Sequence, residues 1–137
     1  ELGEAIRKYK QSLAHHESAE AYTFLGWTYG MLNRYDEAIA VCRKAIAVDP
    51  GFGNPYNDIG TYLIAQEKWE EAIPWLEQAT RAPRYAARHF AFTNLGRVYH
   101  KLRRYRTAIW AYELAIKEEP FYLPAVWGKW SVLGRLN

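Results

Sequence analysis

Three glycines, Gly26, Gly60 and Gly96, recur 34 and then 36 residues apart, each at the same place in a repeated frame. The frame is Tyr22, Leu25, Gly26 and Tyr29, then Ala38, Cys42 and Ala45, then Pro50. It returns as Tyr56, Ile59, Gly60, Leu63, Ala72, Leu76, Ala79 and Pro83. It returns again as Phe92, Leu95, Gly96, Tyr99, Ala108, Tyr112, Ala115 and Pro120. A fixed period of this length marks an array of supersecondary units, each burying its apolar face only against its neighbours.

Within each unit, elementary geometry separates two helices. Tyr22, Leu25, Gly26 and Tyr29 lie at i, i+3, i+4 and i+7, one face of a helix. Ala38, Cys42 and Ala45 form a similar stripe on a second helix. Glycine inside a helix costs about 1 kcal/mol against alanine. Its return at one register therefore asks for a packing reason, and close approach of the second helix, through small Ala38 and Ala45, supplies it. Asn33-Arg34 is expected to form the turn, with Tyr35, Trp69 and Tyr105 opening the second helices and packing into the turns. Asp36-Glu37 and Glu70-Glu71 suit the first turn of a helix, where the dipole favours negative charge. Pro50 and Pro120 end second helices, because proline lacks the N–H and disfavours helix in the residue before it.

The frame resembles the signature of the tetratricopeptide repeat (TPR), over almost the whole chain. That resemblance implies an all-α fold, a right-handed α-solenoid of helix-turn-helix TPR units whose first helices line the concave side. The expected division is one array over 1–137. Residues 1–18 are the trailing helix of a partial repeat, carrying Ala5, Tyr9, Ser12 and Leu13 as its stripe. Repeats follow at 19–52, 53–88 (with a two-residue insertion) and 89–122, then a terminal helix at 123–137. Asn54-Pro55 fits a cap with proline in the first turn, and Pro74 falls early enough in its helix to be tolerated. The extra residues lie between Ala79 and Phe92, and the first helix of repeat three is expected to start early, near Tyr85, with Tyr85, Ala86 and Arg88 as an added turn. The terminal helix departs from the frame: Val126 replaces the aromatic, and Lys129 and Trp130 stand where Leu and Gly are expected.

Composition excludes more than it selects. The chain has 137 residues, half of them hydrophobic and 16% aromatic, enough for a continuous core. A net charge of +3 is too mild to imply nucleic acid, and no apolar run approaches the roughly 18 residues of a membrane span. The single cysteine, Cys42, takes a large core position and reads as a buried structural thiol. His15-His16 closes the first helix, where cations are favoured, and has no further ligands at metal spacing. No glycine-rich phosphate loop, cofactor motif, metal cluster or nucleophile–base signature occurs, so no cofactor and no catalytic residue is assigned and the segment is read as a non-enzyme. The chain opens on Glu1 and reads as part of a longer protein, so the lack of a leader carries no weight. Compartment stays open, with the cytoplasm as the default.

The resemblance also places a groove. The stripe opposite the core would be Thr23, Trp27 and Gly30, then Asn57, Thr61 and Ile64, then Thr93, Arg97 and His100, with Trp127 and Ser131 from the terminal helix. Phe24, Met31, Asp58 and Asn94 flank it. Trp27 and Phe24 either pack on a neighbouring helix or stand free as anchors. The groove would take a peptide or protein segment with an apolar anchor and an acidic group. Trp27 and Trp127 would supply aromatic surface, Ile64 an apolar wall and Arg97 the central cation, while Asn57, Thr61, Thr93 and Asn94 bond the ligand backbone. Chaperone-tail binders of the family grip a terminal carboxylate with Lys and Asn, then Asn, then Lys and Arg. Those places hold Thr23 and Trp27, Asp58, then Phe90 and Asn94; one repeat onward they hold Asn57 and Thr61, Asn94, then Pro124 and Gly128. Only Asn94 matches, which argues against tail capture. The basic corner His100 to Arg106 reads as a solvated turn or as a contact for an acidic partner or nucleic acid. A self-assembling module, homo-oligomeric through its terminal helices, is the alternative; an RNA- or DNA-binding repeat is third.

Overall fold

The computed structural model describes the whole chain, Glu1–Asn137, as eight helices. These are α1 (Leu2–His15), α2 (Ala19–Met31), α3 (Tyr35–Val48), α4 (Asn54–Ala65), α5 (Trp69–Arg81), α6 (Arg88–Lys101), α7 (Tyr105–Glu118) and α8 (Leu123–Leu136). Successive helices pack as antiparallel neighbours, and α2–α3, α4–α5 and α6–α7 are the most closely packed pairs. Between units, first helices approach one another, α2 with α4, α4 with α6 and α6 with α8, whereas α3, α5 and α7 make no such backbone approach and meet through side chains, as where Arg43 lies over the Trp75 ring at 4.9 Å. The first helices therefore lie on the inner, shorter arc.

The glycine register explains the pairing. A Cβ at Gly26 would stand 3.0 Å from the Cys42 sulfur, and one at Gly96 would stand 2.6 Å from the Tyr112 ring. At Gly60 it would collide with the Leu76 side chain. Opposite them, Ala38, Ala72, Ala108, Ala45, Ala79 and Ala115 are fully buried, and their small side chains let the second helices lie close. Cys42 is buried among them, and burial pushes its thiol far above the usual range, which suits an inert core group.

The three turns share one geometry. In the first, the Arg34 N–H reaches the Tyr29 carbonyl and the Asn33 N–H the Gly30 carbonyl, a Schellman closure. The same bonds join Lys68 to Leu63 and Glu67 to Ile64, then Arg104 to Tyr99 and Arg103 to His100. The closure needs a left-handed residue, and Asn33, Glu67 and Arg103 take it at φ of 59°, 59° and 62°. Successive turns are tied by Gln66 Nε2 to Asp36 (2.8 Å) and Arg104 Nη2 to Glu70 (2.7 Å).

Two expectations are corrected. Residues 82–87 form no added helical turn; α6 begins at Arg88. Pro83 breaks the helix, and the backbone after it pairs with the previous connection: the Gly53 N–H donates to Arg84 O and the Arg84 N–H to Gly51 O, both at 3.0 Å. Tyr85 is buried against Gly53, where a Cβ would collide with it, and Arg88 turns back to donate to the Ala82 carbonyl at 2.7 Å, beyond the end of α5. The insertion is thus a strap between units. Asn54 does not cap α4; Gly53 holds the cap position and Asn54 already lies inside the helix with Pro55. In α8, no residue replaces the missing frame glycine at Trp130. Gly128 instead fits against the Tyr112 ring, and Ala125 and Val132 face inward.

Gly60→Leu should cost about 3 kcal/mol by overpacking α4 against α5. Gly134→Ala, with nothing within 4 Å of its added Cβ, should gain about 0.5 kcal/mol from helix propensity. Denaturant midpoints of the two variants check this; equal shifts would dissociate glycine cost from helix contact.

Candidate functional site

The inner face is built from side chains that first helices project toward each other at helical spacing. Between α2 and α4, the Trp27 Nε1–H donates to Asp58 Oδ2 at 2.6 Å. Between α4 and α6, Asn94 Nδ2 donates to Asn57 Oδ1 at 3.1 Å and to Thr61 Oγ1 at 3.3 Å. Arg97 Nη1 then donates to Asn94 Oδ1 at 3.1 Å, and the Thr61 hydroxyl donates to the Asn57 carbonyl. A polar ladder therefore runs across three first helices.

The ladder divides the nine expected binding residues. Trp27 is 40% exposed and Trp127 68% exposed, and Thr61 and Arg97 also reach solvent. Asn57 and Asn94 are buried at the groove floor with their amides engaged to each other. Ile64 is only 6% exposed and belongs to the core rather than forming an apolar wall. Thr23 is buried with its hydroxyl donated to the Ala19 carbonyl, and Thr93 is buried with no partner for its own. These three are helix-facing because neighbouring first helices pack closely enough to cover them.

Two recesses lie where first helices meet near the turns. The first, about 520 Å³, is lined by Trp27, Met31, Tyr35, Asp58, Thr61 and Tyr62. Its depth comes from Gly30, where a Cβ would stand 2.6 Å from the Tyr62 ring. Its walls are mostly apolar, and its one charge-bearing group is Asp58. Burial pushes the Asp58 carboxyl up to about 7, while the Trp27 N–H pulls the other way. The second, about 410 Å³, is lined by Arg97, His100, Lys101, Arg103, Tyr112 and Arg135 from α6, its turn, α7 and α8. Lys101 also lies over the Trp69 ring at 5.7 Å. Burial, then Arg135 and Lys101, hold His100 below the ordinary imidazole range.

Sequence reasoning missed the pairing of Asp58 with Trp27 and the contribution of Arg135. Their signal was present only as register: Asp58 follows Trp27 by 31 residues, close to one repeat, and Arg135 lies 38 beyond Arg97.

Because folding raises the Asp58 pKa, the folded state binds more protons than the unfolded chain between about pH 4 and 7. Stability should fall as pH rises through that window. Asp58→Asn should reduce the fall by about 1 kcal/mol, checked by urea melts at pH 5 and pH 8. An unchanged pH slope would show that Asp58 titrates normally.

Tetratricopeptide repeat models match residues 19–52 and 57–122, most of the chain. A crystal structure of MamA is 27% identical, with a TM-score of 0.82 over 96% of this chain and 71% of that one. PilF of Pseudomonas aeruginosa is 23% identical, with a TM-score of 0.86 over 93% of this chain and 58% of that one. The first TPR domain of Spaghetti (RPAP3), solved with the HSP90 peptide SRMEEVD, is 21% identical, with a TM-score of 0.81 over 87% of this chain and 93% of that one. No curated protein gives a significant match to the sequence.

Proposed function

The chain belongs to the tetratricopeptide repeat family, whose members serve generally as non-enzymatic interaction scaffolds, and we propose that its concave face binds a protein segment carrying an apolar anchor and an acidic group. The observation that carries this reading is the pair of recesses at opposite ends of the inner ladder, one apolar beside Trp27 and one cationic around Arg97. An apolar side chain of the partner enters beside Trp27, Met31 and Tyr62. The acidic group meets Arg97, whose planar fork suits a carboxylate. Thr61, with Trp127 farther along, adds rim contacts. The floor amides Asn57 and Asn94 hold the helices in register rather than bonding ligand. One aromatic anchor with one charged contact supports about micromolar affinity.

The Spaghetti neighbour carries a peptide ending in Glu-Val-Asp. That mode does not transfer, because Thr23, Trp27, Asp58 and Phe90 stand in the places of the terminal-carboxylate clamp. Trp27→Ala and Arg97→Glu, each in the folded protein, should weaken capture of a partner retained by affinity purification by about tenfold each. Wild-type binding by both variants would move the site off the concave face.

A second reading rests on α8. Trp127 is 68% exposed and Trp130 66% exposed on the same terminal helix, with Leu123 and Leu136 also uncovered. Such a patch on a repeat array favours association with a further copy or segment. Mass measured at two concentrations should show association that Trp130→Ser reduces; a monomer throughout would eliminate self-assembly by this surface.

A further inference from the structure

The second recess holds more positive charge than a single carboxylate requires. Arg97, Lys101, Arg103 and Arg135 converge on it from α6, the following turn and α8, and no acidic residue lines it. The ion pairs of the chain involve Arg7, Arg34, Arg84, Arg104 and Lys129; none of the four cations is among them. Arg97 donates to Asn94 and Lys101 lies over Trp69, but none of the four meets a counter-charge in the recess of about 410 Å³, and their mutual repulsion is relieved by a compact polyanion. Arginines from three separate elements also line this one recess, an arrangement that offers several planar donor forks to the terminal oxygens of a phosphoryl group. A lone carboxylate offers two oxygens and one charge, and leaves most of this field unmatched.

Resting on the concave-face reading, we infer that the Arg97–Arg103–Arg135 cleft is a binding site for a phosphorylated serine or threonine of the partner segment. Arg103 enters the cleft from the left-handed turn position. The same backbone geometry at Asn33 and Glu67 shows that the turn is structural and that its third copy is the one that carries a cation. Binding is non-covalent, and the phosphoryl group remains on the partner.

The test titrates the whole chain with N-acetyl-O-phosphoserine amide, N-acetyl-glutamate amide and inorganic phosphate at one ionic strength, followed by NMR of the arginine side chains. Phosphoserine amide should bind about tenfold tighter than the glutamate derivative and shift the Arg97 and Arg135 signals. Arg97→Gln and Arg135→Gln, both solvent-facing and checked for fold by circular dichroism, should each remove about tenfold, whereas Arg7→Gln, exposed on α1, should leave phosphoserine binding intact. Equal binding of the two amides, or unaffected binding in both arginine variants, overturns the site. Inorganic phosphate binding as tightly as phosphoserine amide overturns the peptide source in favour of a free anion. Tighter binding of a single-stranded oligonucleotide overturns it in favour of nucleic acid. Failure of the anion probes while Trp27-dependent partner capture persists removes this inference alone.

Discussion

The seating of a second-helix side chain on a first-helix glycine is the constraint on which the array depends. Where Gly26, Gly60 and Gly96 meet Cys42, Leu76 and Tyr112, the absent Cβ sets how close the paired helices come. That closeness fixes where the rest of each first helix lies, and so which of its residues reach the next unit. The identity of the facing residue varies in size from Cys to Tyr, yet the glycine stays, because the space it leaves is filled differently each time. At the last helix Gly128 meets the same ring of Tyr112, so one aromatic serves two glycines.

Stacking of units then converts a repeated sequence into an unequal surface. Each first helix contributes the same register positions, but these hold Trp27, Thr61 and Arg97 in turn. The hydrogen-bonded contacts between them join helices and also grade the inner face from apolar to cationic. The polar ladder is costly to build only if left incomplete, since a buried amide without a partner loses its solvation for nothing. Asn57 and Asn94 avoid this by bonding each other.

The fold was largely legible in the sequence because the glycine, alanine and proline positions recur at one period and each has a backbone meaning. The insertion after Ala79 was not legible. Its length was visible, but pairing of Arg84 with the connection at Gly51–Gly53 is a contact between loops, with no periodicity to announce it. The candidate site was half legible. Facing outward was read from position opposite the core, which held for Trp27 and Arg97, yet the same rule put Ile64, Thr23 and Thr93 in the groove. A helix in a solenoid is covered from two further sides by its neighbours, so one-helix periodicity overstates its free surface. Asp58 was seen only as a flanking residue because its bond to the indole of the preceding unit is a contact between helices, which one-helix periodicity does not announce.

The asymmetry between inner and outer helices has a mechanical meaning. First helices approach closely along the inner arc, while α3, α5 and α7 meet only through long side chains such as Arg43 over the Trp75 ring. A tilt of one unit on the next would therefore strain side-chain contacts on the outer arc before it disturbed the closer backbone approaches within the inner ladder. The strap from Gly53 to Arg84 adds backbone bonds across the second unit to the side-chain ties of Gln66 with Asp36 and Arg104 with Glu70. No such backbone bridge joins the connection after α5 to the one after α7, so the last units, beside the cationic recess, are held to each other by helix packing and side chains.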